Sequence, residues 1–175
     1  SMMFLHSNGI IHRDIKPDNI LIDEFLFPRL ADFGFSKHIN QKVEKKDFRK
    51  HIVLSEIMGT LGFIAPEIWK DKEYTQAGDV YAFAMLLFEL LTSNFPFSGK
   101  TAAQVCYSVL FKKERPKFEK TIEDHYKEMI KECWSQDPEQ RPTFKHIVEK
   151  FENDSNFTKN VNKKLFYKYV KFIKQ

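Results

Sequence analysis

His12-Arg13-Asp14-Ile15-Lys16-Pro17-Asp18-Asn19 is the stretch on which the reading of this chain turns. It packs charged side chains and hard oxygens into one short loop. Ahead of it, residues 1–7 read as the end of a helix that stops at Asn8 and Gly9. Behind it, residues 19–22 are apolar enough for a strand, with Leu30 and Ala31 as its partner after a turn at Pro28. A lone Asp or Lys in a loop is usually a solvated charge. The weight therefore falls on the combination, and on two further motifs downstream, Asp32-Phe33-Gly34 and Ala65-Pro66-Glu67.

In this order the three motifs resemble the eukaryotic protein kinases, whose catalytic loop carries His-Arg-Asp, then Lys two residues and Asn five residues beyond the Asp. The resemblance runs from residue 1 to about residue 152. It implies a mainly α fold, a kinase-like C-terminal lobe with a short β-hairpin near the catalytic loop and the N-terminal lobe absent. It also implies the cosubstrate ATP, the metal Mg²⁺ and a protein substrate with a Ser or Thr hydroxyl. Catalysis would fall to Asp14, Lys16 and Asn19. By the resemblance Asp14 accepts the hydrogen bond of the substrate hydroxyl, and Lys16 offsets charge on the γ-phosphate. Asn19 and Asp32 supply the hard oxygens that suit Mg²⁺. Nucleotide contacts would come from Lys16, Asn19, Leu21 and Asp32, with Leu21 as the floor beneath the adenine. His12 and Phe33 look like packing pieces that align the loop with the metal motif.

The same resemblance refines the class. Lys16, and Gly59-Thr60 ahead of Ala65-Pro66-Glu67, follow the serine/threonine pattern, and residues 133–142 look most like the tyrosine-kinase-like branch. Glu67 and Arg141 match a family ion pair, and Asp79 a residue that holds the catalytic loop by backbone hydrogen bonds. Ser55 and Thr60 are candidate phosphorylation sites opposite Arg13, although Thr60 fits better as a structural contact of Asp14 and Lys16. Leu61, Phe63 and Ala84 depart from the usual Pro, Tyr and Gly, each as a packing change.

The bulk numbers fit one soluble globular domain. Of 175 residues, 42% are hydrophobic and 30% charged, and 18 Phe predict a core of aromatic packing. Cys106 and Cys133 have no metal-type spacing and read as reduced thiols of a cytoplasmic protein. Residues 35–58 are polar and aperiodic and read as a long mobile loop. Residues 77–92 are apolar nearly all round, which predicts a helix buried on every side. Further helical patterns cover 101–111, 122–134 and 143–151.

The formal net charge of +4 conceals two basic segments, residues 37–50 and residues 155–175, outside which the chain is net acidic. No nucleic-acid partner is therefore expected of the domain as a whole. Residues 1–153 read as the lobe and 154–175 as a basic amphipathic tail. On a helical wheel the tail's lysines separate from its apolar residues, so that it suits an anionic membrane, a partner groove or docking onto the lobe. The six glycines form no Gly-rich phosphate loop, and no Val-Ala-Ile-Lys-like strand exists. The expectation is a serine/threonine kinase lobe inactive by itself. The alternative is a truncated, non-catalytic interaction module.

Overall fold

The computed structural model describes residues 1–41, 45–57, 60–118, 122–159 and 161–173. Its axis is a helix over Gln76–Thr92, whose 17 residues span about 25 Å. Thr75 starts it by accepting the Gly78 N–H, and Ser93 ends it in the left-handed conformation. Tyr81, Ala84 and Met85 are sealed from solvent, but Leu90 and Leu91 in the last turn are exposed. The expected burial therefore runs from Gly78 to Phe88 and fails in the last turn.

Helices in chain order are α1 (Met2–Ser7), α2 (Lys45–Ile57), α3 (Pro66–Asp71), the axial α4, α5 (Ala102–Leu110), α6 (Asp124–Cys133), α7 (Phe144–Asn153), α8 (Ser155–Thr158) and α9 (Lys163–Ile173). The α6 helix lies along α4 and presents Met129, Ile130 and Cys133 to it. Trp134 then stacks on Phe118 at 5.1 Å and meets Phe88 at 6.2 Å, the aromatic packing that the Phe content predicts. Thr101 and Gln104 close a capping box on α5, and Thr143 caps α7, which places both starts within two residues of expectation. Both cysteines are free thiols. No described helix is long and apolar enough to cross a membrane.

Two small antiparallel sheets flank the 12–19 loop. Strands β2 (Ile20–Ile22) and β3 (Pro28–Leu30) pair Ile20 with Leu30 and Ile22 with Pro28. Pro28 is thus the first residue of the strand rather than its turn, a position that needs no N–H in the ladder. Asp23 closes the actual turn by accepting the N–H groups of Phe25 and Phe27, both at 2.9 Å. Strands β1 (Ile10–Ile11) and β4 (Lys37–His38) form the second pair, which the sequence reading did not anticipate.

A larger correction concerns residues 35–58. Rather than an aperiodic mobile loop, they contain β4 and the 13-residue helix α2. Phe48, His51, Ile52 and Ser55 recur at helical spacing on its inner face, where Phe48 and Ile52 pack on the core and His51 and Ser55 are buried. Two of those four positions are polar, which hid the period. Lys37 pairs with Asp47 at 2.6 Å and ties β4 to the helix's first turn.

Candidate active site

The 12–19 loop takes its shape from one carboxylate. Gly9, at φ +68°, turns the chain out of α1 into β1. From α4, the Asp79 carboxylate then accepts the N–H groups of His12 and Arg13, each at 2.8 Å, and sits 2.9 Å from the His6 ring. Arg13 has φ +74°, a conformation costly for a residue with a Cβ, and the two-point grip holds it there. Its guanidinium lies over the Tyr74 ring, 4.3 Å from the centroid. The Nε and Nη1 atoms of Arg13 are buried with no hydrogen-bond partner among the described residues.

The loop presents Asp14, Lys16 and Asn19 as one buried cluster. Lys16 Nζ stands 2.9 Å from Asp14 Oδ2, and Asn19 Nδ2 donates to that oxygen at 2.9 Å and to the Asp14 carbonyl at 2.7 Å. Burial pushes the Asp14 carboxyl up, but His51, Lys16 and Asn19 together outweigh it and hold the group at about 2. Asp14 is therefore an anion throughout the physiological range, able to accept a proton donor's hydrogen bond.

Asp32 and Leu21 stand next to this cluster rather than in it. Leu21 is 56% exposed on β2. Asp32 is exposed, with φ +56°, and its Oδ1 accepts the Gly34 N–H at 3.0 Å. Backbone contacts connect the two regions, since Ala31 N–H donates to the Asn19 carbonyl at 2.8 Å and the His12 ring lies 3.2 Å from the Ala31 carbonyl. Phe33 meets His12 edge to face at 5.2 Å, the packing expected of that pair. Among the described residues no group of three or more His, Cys, Asp or Glu gathers to hold a metal by itself.

Three contributors escaped the sequence reading. His51 of α2 is buried, with Nε2 3.9 Å from Asp14 Oδ1 and Nδ1 2.6 Å from the Tyr74 hydroxyl. Burial raises the Tyr74 pKa, so its hydroxyl stays protonated and can donate to Nδ1. In the tautomer that accepts this bond the ring N–H is Nε2, on the side of Asp14 Oδ1. His6, on Asp79, is the third. Only the helical spacing of His51 with Phe48, Ile52 and Ser55 was there to be read.

Farther out, Arg141 and Glu67 form a two-pronged pair at 2.7 and 2.8 Å, joining α3 to the turn before α7. The protein kinase domain family model matches residues 1–151. The chain belongs to the protein kinase family. It is similar to the serine/threonine/tyrosine-protein kinase HT1 of Arabidopsis thaliana, at 40% identity over 84% of this chain and 35% of the relative. Serine/threonine-protein kinase STY17 of the same plant is 37% identical over 85% of the chain and 24% of its own length. The probable serine/threonine-protein kinase drkC of Dictyostelium discoideum is 36% identical over 86% and 20%. The chain thus spans about a third or less of the length of these kinases.

Two expectations for the segment after Asp32 change. The Thr60 hydroxyl makes no hydrogen bond to Asp14 or Lys16: it is buried with no hydrogen-bond partner among the described residues, and Asp14 faces His51. Ser55 is buried at 3% exposure and lines a small cavity with Arg13, Asp14 and His51, so the described arrangement keeps it from any modifying enzyme. Gly59, read together with Thr60, lies outside the described residues.

Proposed function

We propose that residues 1–153 are the catalytic C-terminal lobe of a serine/threonine protein kinase that transfers the γ-phosphate of ATP to a protein hydroxyl, with 154–175 as an appended tail. The observation that carries this reading is the buried Asp14–Lys16–Asn19 cluster, clamped to α4 through Asp79. Phosphoryl transfer passes through a loose, charge-rich transition state, so positioning and charge neutralisation dominate its catalysis. Asp14, ionised and fixed, would orient the attacking hydroxyl. Lys16 would sit beside the charge that develops on the transferred group.

The donor set fits Mg²⁺. Asn19 spends its amide nitrogen on Asp14, which leaves its amide oxygen for a cation, and Asp32 offers an exposed carboxylate. Two hard protein oxygens suit an ion that keeps several waters and takes phosphate oxygens besides. When bound, Mg²⁺ would neutralise phosphate charge. Exposed Leu21 supplies an apolar surface at the edge of the same region, suited to a flat purine base.

A protein hydroxyl reaches Asp14 Oδ1 only after His51 leaves, so the reading requires α2 to be displaced for turnover. Arg13, with its unpartnered guanidinium nitrogens, is placed to meet a phosphate on the displaced segment, and Ser55 is the candidate. The covering of Asp14 is also the one observation that favours the alternative, a non-catalytic interaction module. Asp14→Asn in the full-length native polypeptide separates the two. Phosphate transfer should fall by about 10²–10⁴-fold while thermal stability shows that the variant is folded. Transfer that survives the substitution removes Asp14 from the role, and a wild-type native product that transfers nothing supports the module.

These 175 residues contain no Gly-rich phosphate loop and no Val-Ala-Ile-Lys-like run whose lysine would grip the phosphates. Calorimetry of this chain alone with ATP and Mg²⁺ should give no saturable heat. A saturable isotherm would contradict the division of the nucleotide site between two lobes.

A further inference from the structure

The first residues of the tail, 154–159, are docked onto the lobe. Phe157 of α8 is buried against His125, Tyr126 and Phe151, with ring centroids 4.6–5.3 Å apart. Lys159 reaches Glu123 at 2.7 Å, so its charge is already matched. Beyond that point a new helix begins. Asn162 caps α9 by accepting the Leu165 N–H at 3.1 Å, and the 11 residues Lys163–Ile173 run about 16 Å.

At 3.6 residues per turn, positions 165, 166, 169, 170, 172 and 173 fall on one half of α9, and all six are apolar or aromatic in the sequence. Positions 163, 164, 168 and 171, all Lys, fall on the other, with Tyr167 among them. Leu165 is 45% exposed on the apolar side, and Lys164, Lys168 and Lys171 are exposed on the other. Residues 155–175 contain no acid.

We propose that α9 is a docking surface for an anionic phospholipid bilayer, lying in the plane of the headgroups with its apolar half toward the acyl chains. Positions 163 and 168 border the apolar half on its two edges. The Lys168 stem can therefore follow the apolar surface while its ammonium group rises to the lipid phosphates. A polyanion such as RNA would engage the lysines and leave the apolar half in water. A bilayer satisfies both halves at once. The helix is too short to span, so the contact is peripheral and electrostatically assisted.

The test is co-sedimentation of the full 175-residue chain with vesicles of phosphatidylcholine, alone or with about a third phosphatidylserine. Binding should be at least about tenfold tighter to the anionic vesicles and should weaken as salt is raised. Leu165→Asp should abolish it. Because that change also places an acid in the helix, the triple variant Lys164→Gln, Lys168→Gln and Lys171→Gln serves as the second test. It keeps the apolar half and should lose the preference for phosphatidylserine. Equal partition to both vesicles, or a Leu165→Asp chain that binds as before, overturns the proposal. Retention of single-stranded RNA by a chain that ignores the vesicles overturns it too and assigns the lysines to nucleic acid.

Discussion

Replacing Arg141 with Met should lower the stability of the domain by about 3–5 kcal/mol, the usual cost of stranding one member of a buried ion pair. The Arg141 side chain is fully buried and that of Glu67 is 12% exposed. The guanidinium also donates from Nε to the Ser135 carbonyl at 2.9 Å and from Nη1 to the Ala77 carbonyl at 2.8 Å, and it lies over the Tyr81 ring. One side chain thus joins α3, the start of α4 and the turn ahead of α7. Methionine fills much of the same volume but leaves the Glu67 carboxylate without its partner. For a chain of this size the loss corresponds to a fall in Tm of roughly 10 °C. Urea denaturation of the single variant, of Glu67→Gln and of the double variant would isolate the coupling. A fall of less than about 1 kcal/mol would mean that water already screens the pair.

The second large effect is expected at Asp79. Asp79→Ala removes the acceptor of two buried amides at once, and hydrogen bonds to a charged acceptor are each worth about 1.5–3 kcal/mol. The loss should come to about 3–5 kcal/mol, with a local signature that Arg141 would not give. The His12 and Arg13 amides should lose hydrogen-exchange protection, and Arg13 should relax from its positive φ. Amide exchange read by mass spectrometry over residues 10–16 checks this directly. Continued protection of both amides in a folded Asp79→Ala chain would show that the β1–β4 pairing, not the carboxylate, sets the loop.

How much of this was legible in the sequence varied with the kind of residue. Asp79 and the Glu67–Arg141 pair could be placed from the kinase resemblance because fixed chemistry at fixed spacing survives changes elsewhere. The four helices at 77–92, 101–111, 122–134 and 143–151 could be placed because apolar periodicity and caps such as Thr101 are local signals. The α2 helix could not. Its inner face carries His51 and Ser55, which look like loop residues until a neighbour appears to receive them. That neighbour comprises Asp14 and Tyr74, brought in from distant parts of the chain. The same applies to β1 and β4, each too short to show an alternation. Their pairing is a tertiary fact, visible only once α1 and the 12–19 loop are in place.

The grip of Asp79 on the loop also sets an order of events during synthesis. The Arg13 amide and its acceptor are 66 residues apart, and a ribosome adds about 5–20 residues per second. The loop therefore waits roughly 3–13 seconds, on that scale, for the carboxylate that shapes it. Within that interval β4 emerges and can pair with β1, but Ile15 still lacks the α4 core it packs into. Arg141 arrives later still, 74 residues after the Glu67 it must neutralise. A chain stalled between the two would carry a buried-to-be acid with no counter-charge.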